Sequence, residues 1–295
     1  MRSGMVAVVG RPNVGKSSLV NALVGQKVSI VSPKPQTTRH RIQGVLHLPQ
    51  GQIVFVDTPG LHNKTPRALN RALNETAAAS LSGVDLVLLV AEAARWNDDD
   101  ELALERVIHS RCRCALLLNK VDLVSDKASL LPLIQKFSER HKFEFIVPLS
   151  ARSRDNLDVL ARDILALLPE GPALYPEAQI VSHSPAFAAA ETVREKLMRH
   201  LRQELPYALT VETEKYEREG HVTHIHCVIW VERESQKGIV VGAGGQGLKT
   251  IGTSARRELE TQLGGKVFLK LWVKVKENWT DDPRSLAEFG LSERP

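Results

Sequence analysis

The chain has 295 residues, is 43% hydrophobic and 25% charged, and carries a formal net charge of +5. That balance is ordinary for globular protein, the length suits one large or two medium domains, and no run reaches the ~18 apolar residues of a membrane span. The positive excess lies in residues 1–170, while acids and bases balance over 171–295, so nucleic-acid binding in the second half requires local charge.

"MRSGMVAVVG" opens without a signal-peptide pattern and reads as a strand. Gly10-Arg11-Pro12-Asn13-Val14-Gly15-Lys16-Ser17, followed by Ser18, fits G-x-x-x-x-G-K-[ST] between that strand and the helix "KSSLVNALVG". Its glycines let backbone N–H groups wrap phosphates, and the helix N-terminus adds positive potential. Lys16 is then expected on the β- and γ-phosphates and the Ser17 hydroxyl on Mg²⁺. The loop "KPQTTRHR" supplies Thr37 and Thr38 for sensing the γ-phosphate and Mg²⁺, with Thr38 favoured; a solvated basic turn is the alternative.

The strand "QIVFVDTPG" leads to Asp57-Thr58-Pro59-Gly60, where Asp57 is expected to hold a Mg²⁺-bound water and the Gly60 amide to bond the γ-phosphate. Leu61 follows, at the position where Ras-like enzymes carry a water-orienting glutamine, so slow hydrolysis is predicted. "VDLVLLVAE" is a strand and "DDELALERVIHS" a helix. "CALLLNKVD" ends in Asn119-Lys120-Val121-Asp122, whose aspartate matches the two N–H donors of guanine. After the helix "ASLLPLIQKFSERH" and the strand "FEFIVPLSA", Ser150-Ala151 is a second candidate guanine contact. Short runs apolar on both faces, separated by helices that end at "NLDVLARDILALL", predict an α/β doubly wound P-loop domain over 1–170. Cys112, Cys114 and Cys227 lack zinc-type spacing and read as small hydrophobes of a reducing cytoplasm.

"PEGPALYPEAQ" is rich in proline, and residues 171–180 read as a linker. A smaller α+β domain is predicted over 181–295. It comprises the helix "AFAAAETVREKLMRHLRQEL", the strands "YALTVETEKYERE" and "HVTHIHCVIWVERE", the glycine loop "GIVVGAGGQGLKTIG", the helix "LKTIGTSARRELETQL" and the strand "GGKVFLKLWVKVK". Gly242-Ala243-Gly244-Gly245 fits the G-x-x-G that clamps a single-stranded RNA backbone; a plain helix-opening turn is the alternative. Strand alternation puts Lys266, Phe268, Lys270, Trp272, Lys274 and Lys276 on one face, which suits RNA stacking and phosphate contact or, equally, a solvated face. His224 and His226 share a strand face, more in keeping with a polar surface than with a metal site.

The first half resembles the small translation-factor-class GTPases. "SPKPQTTRHRI" and "DTPGLH", with "VERESQKG" before the second glycine loop and "LWVKVKENW" at the end, resemble the Era family of bacterial GTPases with a KH RNA-binding domain. The resemblance spans nearly the whole chain. The motifs give GTP and GDP with Mg²⁺ held at Ser17, Thr38 and Asp57, and catalysis resting on Lys16, Thr38, Gly60 and Asn13; resemblance to potassium-activated GTPases implies Asn13 as a K⁺ ligand, with a simple loop-turn asparagine as the alternative. The Era resemblance implies single-stranded RNA from the 3′ end of small-subunit ribosomal RNA, in the service of small-subunit assembly; the candidate RNA residues are Gly242, Ala243, Gly244 and Gly245 of the loop, Lys237 and Lys249 beside it, and Lys270, Trp272 and Lys274 on the last strand. A cytoplasmic monomer is expected; peripheral membrane association is a family trait, though no lipidation motif or clear amphipathic anchor is present. The sequence departs from the pattern at Ala243 and Gly244, where such loops usually carry a cation; the nearest are Lys237, Lys249, Arg256 and Arg257. Two other readings are a nucleotide-gated module that docks protein, against which the G-x-x-G loop argues, and a GTPase of tRNA modification, which lacks its cysteine motif here.

Overall fold

The computed structural model describes residues 1–61 and 67–292. It divides into two compact units, the first holding most of the chain up to Ser182 and the second beginning in the main at His183.

The first unit contains β1 (Arg2–Val9), α1 (Lys16–Val24), β2 (Ile42–Leu48), β3 (Gly51–Asp57), α2 (Ala68–Ala79), β4 (Leu86–Glu92), α3 (Asp98–Ser110), β5 (Cys114–Asn119), α4 (Leu130–Arg140), β6 (Ile146–Pro148) and α5 (Leu157–Leu167). The sheet order is β2-β3-β1-β4-β5-β6. All neighbours are parallel except β2, which runs antiparallel to β3. Every residue of β3 and of β5 is buried, as strands covered on both faces by helices must be. The edge strand β2, "IQGVLHL", has no place in the sequence prediction, because glycine and two polar residues interrupt its apolar run. β1 lies between β3 and β4, so the loops at the carboxyl ends of β1, β3, β5 and β6 converge on one rim, where doubly wound sheets bind ligands.

The stretch predicted as a linker is tied to this unit. The Leu174 and Tyr175 amides donate to Gln52 Oε1 at 2.9 and 3.0 Å, and the Val45 amide donates to the Ile180 carbonyl at 2.8 Å. Gln52 is fully buried, so those bonds satisfy an amide that would otherwise be costly to bury.

The second unit contains α6 (Pro185–His200), β7 (Leu209–Glu219), β8 (Val222–Val231), α7 (Glu234–Val241), α8 (Gln246–Leu263), β9 (Lys266–Val275) and α9 (Pro283–Glu288). Its sheet runs β7-β8-β9, antiparallel then parallel, with a bulge between Thr213 and Lys215. Ile225, Cys227, Ile229 and Val231 of β8 pack with Ala189, Val193 and Leu197 of α6 and with Ile251, Ala255 and Leu259 of α8. The short helix α7 is absent from the sequence prediction: "ESQKGIVV" holds a glycine and two valines, weak helix formers. Its start is fixed by Gln236, whose side-chain oxygen accepts from the Glu232 and Arg233 amides at 2.8 and 3.1 Å.

Candidate active site and nucleic-acid interface

The first glycine loop is shaped by what surrounds it. Gly15 has φ of +100°, and a Cβ there would lie 2.3 Å from the Asn119 amide nitrogen. Only glycine accepts both constraints. α1 begins directly after it with no side-chain cap and no acidic residue in its first turn, so its N–H groups stay available to an anion. Asn119 ties the rim together: its Nδ2 donates to the Val14 carbonyl at 2.7 Å, and its Oδ1 accepts from the Ala151 amide at 3.0 Å. Ser150 Oγ donates to Asp122 Oδ1 at 2.7 Å, orienting the carboxylate predicted to read guanine. Thr58 is buried and donates to the Val8 carbonyl at 2.8 Å, and a Cβ on Gly60 would lie 2.7 Å from the Pro12 nitrogen, so the segment from Asp57 to Gly60 lies against the glycine loop.

Lys16 is buried, and its Nζ donates to the carbonyls of Gly10 and Arg11 at 3.0 and 2.9 Å. Burial lowers its pKa to about 8, with Asp57 pulling the other way. The three predicted metal residues converge. Ser17 Oγ and Thr38 Oγ1 are 2.8 Å apart, and Thr38 Oγ1 donates to Asp57 Oδ2 at 3.4 Å. Thr37 instead bonds Ser32 Oγ and the Lys34 carbonyl. Asp57 is fully buried, its Oδ1 has no hydrogen-bond partner among the described residues, and burial pushes its carboxyl up. A buried carboxylate oxygen left over beside two hydroxyls is a donor set suited to Mg²⁺, a hard cation that takes oxygen ligands. Asn13 holds a left-handed turn at φ +64°.

Two predicted contacts are placed differently. The Leu61 side chain is 1% exposed and packs in the core with Ala7, Val9, Leu89 and Leu118, while its amide donates to the Gly10 carbonyl at 3.2 Å. An apolar side chain is more stable in that core than on a wet rim, so the Leu61 side chain stays off the rim and only its backbone lies at the loop. Arg11 is turned from the loop towards two acids: Nε donates to Asp100 at 2.8 Å and Nη2 to Glu92 at 3.0 Å. Glu92 and Asp100 were not singled out in the sequence; a carboxylate closing the apolar run of β4 was the signal available. Residues 62–66, including His62 of the "DTPGLH" resemblance, lie outside the described residues.

The second glycine loop joins α7 to α8. Gly242 has φ of +72°, and a Cβ on it would meet the Gly247 nitrogen at 2.9 Å. Gly244 and Gly245 also have positive φ, at +57° and +79°, but nothing within 4 Å of where a Cβ would go. α8 runs for 18 residues and starts without a side-chain cap or an acid in its first turn. Lys237 on α7 flanks the loop, paired with Glu234 at 2.9 Å, and the exposed Lys249 lies in the first turns of α8.

Lys270, Trp272 and Lys274 lie on the sheet face away from this loop. Val267, Leu269, Leu271, Val273 and Val275 turn towards the helices, so the alternate residues of β9 face the other side of the sheet. There Lys270 lies over the Trp272 ring at 5.0 Å, and Lys274 pairs with Glu214 at 2.9 Å. Among the described residues no group of three or more His, Cys, Asp or Glu side chains converges on a metal site, His224 and His226 included.

A phosphate-wrapping loop, a guanine-type N-K-x-D and a G-x-x-G helix pair define a P-loop GTPase joined to a KH domain. Residues 5–120 match the 50S ribosome-binding GTPase family and residues 204–280 the KH domain. The chain is 52% identical over 287 residues to GTPase Era of Stenotrophomonas maltophilia strain R551-3, covering 97% of this chain and 96% of that one. It is 52% identical over 289 residues to GTPase Era of Xanthomonas oryzae pv. oryzae strain MAFF 311018, covering 98% and 97%. Two crystal structures superpose over 99% of the chain with a TM-score of 0.95 and 40% identity. One is Era in complex with MgGDPNP and nucleotides 1506–1542 of 16S ribosomal RNA, of which 99% is covered; the other is a single-substitution (Tyr-to-Ala) variant of Aquifex aeolicus Era bound to GDP and AlF4⁻, covered in full. The chain belongs to the Era family of GTPases.

Proposed function

We propose that this GTPase uses Mg²⁺ and GTP to switch a KH domain that binds single-stranded RNA near the 3′ end of small-subunit ribosomal RNA, and so assists assembly of that subunit. The observation that carries this reading is the superposition, over both units, on an Era complex that holds MgGDPNP and a 16S RNA segment. In domain terms, 1–170 handles the nucleotide, 171–180 connects, and 181–295 handles RNA. The chain acts as a cytoplasmic monomer, with any membrane association peripheral.

Within the nucleotide site, backbone amides from Gly10 to Ser18 wrap the phosphates, and Lys16 exchanges its two carbonyl partners for phosphate oxygens. Ser17, Thr38 and Asp57 hold Mg²⁺, which neutralises charge on the β- and γ-phosphates when bound. The Gly60 amide bonds the γ-phosphate, while Asn119, Lys120, Asp122, Ser150 and Ala151 form the guanine pocket. Arg11 is held by two carboxylates and Leu61 lies in the core, so neither Arg11 as an arginine finger nor Leu61 in place of a glutamine serves the attacking water. Intrinsic hydrolysis is therefore slow. Asn13, held in its left-handed turn, places a carboxamide for K⁺, a cation standing where an arginine would. Turnover measured in K⁺ and in Na⁺ at equal ionic strength tests this: faster hydrolysis in K⁺ supports it, and equal rates contradict it.

In the RNA site, Gly242–Gly245 admits the backbone to the start of α8, with Lys237 and Lys249 supplying charge beside it. Lys270, Trp272 and Lys274, on the other sheet face, offer a second, separate surface for RNA stacking and phosphate contact, with a solvated face as the alternative.

A further inference from the structure

Arg11, Glu92, Asp100 and Lys120 form one chain of charges across the rim of the first unit. Glu92 Oε2 accepts from Arg11 Nη2 at 3.0 Å and from Lys120 Nζ at 3.2 Å. Arg11 is fastened at its other edge by Asp100, 2.8 Å from Nε, and Asp100 is 1% exposed. Asp100 in turn completes the capping box of α3, accepting from the Asn97 amide at 3.0 Å. A fixed helix start therefore holds Arg11, Arg11 holds Glu92, and Glu92 holds Lys120.

The two cations that Glu92 joins belong to different loops. Arg11 lies in the loop that wraps phosphates, and Lys120 lies in the loop that reads the base, in a left-handed conformation at φ +65°. A bound guanine nucleotide spans those loops, so their separation sets how well phosphates and base are met together. We propose that Glu92 is a positioning residue for the nucleotide: a brace between Arg11 and Lys120 that holds the phosphate loop and the guanine loop at the spacing a guanine nucleotide needs. The proposal rests on the nucleotide-binding reading of this rim and adds to it a residue that touches neither phosphate nor base. Burial raises the Glu92 carboxyl, but the bonds from Arg11 and Lys120 outweigh it and hold the group below the usual carboxylate range, so it stays ionised at neutral pH. Glu92 and Lys120 are only partly exposed, which limits solvent screening.

The test is release of a fluorescent GDP from the full-length chain, followed by stopped flow, with GTP turnover and melting of the nucleotide-free protein measured alongside. Glu92→Ala should speed release by about 10-fold, the equivalent of about 1.4 kcal/mol, and raise the KM for GTP in proportion, with kcat within about 3-fold. Glu92→Gln, nearly isosteric and still an acceptor, should fall between Ala and the parent. In a double-mutant cycle, adding Glu92→Ala to Lys120→Met should change release little further, because the brace is already cut. Release unchanged in Glu92→Ala would overturn the proposal, as would full additivity with Lys120→Met. So would equally fast release from Leu160→Ala, a core variant that lowers the melting temperature without touching the rim. A parent chain unable to hold GDP would instead remove the nucleotide reading on which the proposal stands.

Discussion

Lys16 shows how far a single side chain can be committed before its ligand arrives. Its ammonium is buried on two carbonyls, and burial brings its pKa down from 10.5 to about 8. The folded value lies below the unfolded one. Below about pH 8 folding therefore bears the full cost of burying the charge, and that cost fades as pH rises from 8 towards 10.5. Phosphates restore the preference for the charged form, so GDP binding near pH 8 should be accompanied by proton uptake at Lys16. Calorimetry in buffers of different ionisation heat measures this, and zero uptake would contradict it. Leu61 makes the opposite case. Read from the sequence as the hydrolysis position, it is a core residue in the structure, 1% exposed. Leu61→Ala should cost about 2–5 kcal/mol in urea unfolding, the range for buried Leu→Ala changes. Hydrolysis should change by less than about 10-fold, or 1.4 kcal/mol of barrier, because that side chain does no chemistry. A 1000-fold loss of turnover with normal stability would reverse the assignment.

Among the elements, the second glycine loop carries the clearest expectation. Gly245 sits at φ +79° with open space where a Cβ would go, so Gly245→Asp costs only the modest strain of a left-handed aspartate, about 1 kcal/mol, and should fold. Beside an RNA backbone its charge should weaken binding by more than ~10-fold, while GDP affinity stays at the parent value. Ala243→Lys restores a cation and should tighten binding, steepening the log–log salt dependence by ~0.7 on single-stranded RNA. Fluorescence anisotropy across a salt series reads both; unchanged RNA binding by folded Gly245→Asp would leave the loop as a mere turn. This loop and the P-loop were legible because glycine spacing, lysine and serine offsets and flanking periodicity agree in one short stretch. β2 and α7 were not, since an interrupted edge strand and a glycine- and valine-bearing helix lack local signals and are stabilised by partners far away in sequence. β9 was read correctly as two faces. Which face adjoins the glycine loop depends on how α8 packs, and no period in β9 encodes that. The brace at Glu92 was hidden for the same reason: its partners are 81 and 28 residues away.

For the whole molecule, the motif order legible in the sequence matches the two-unit architecture, and among the described residues no helix is long and apolar enough to cross a membrane. The central claim is that the nucleotide in the first unit governs RNA binding by the second. Its most direct test is the affinity of the full chain for a single-stranded oligonucleotide from the 3′ end of 16S ribosomal RNA, measured with a non-hydrolysable GTP analogue and with GDP at one salt concentration. Binding should be at least ~10-fold tighter with the GTP analogue, a coupling of about 1.4 kcal/mol. Equal affinity in the two states would show that this chain binds RNA without being switched by its nucleotide.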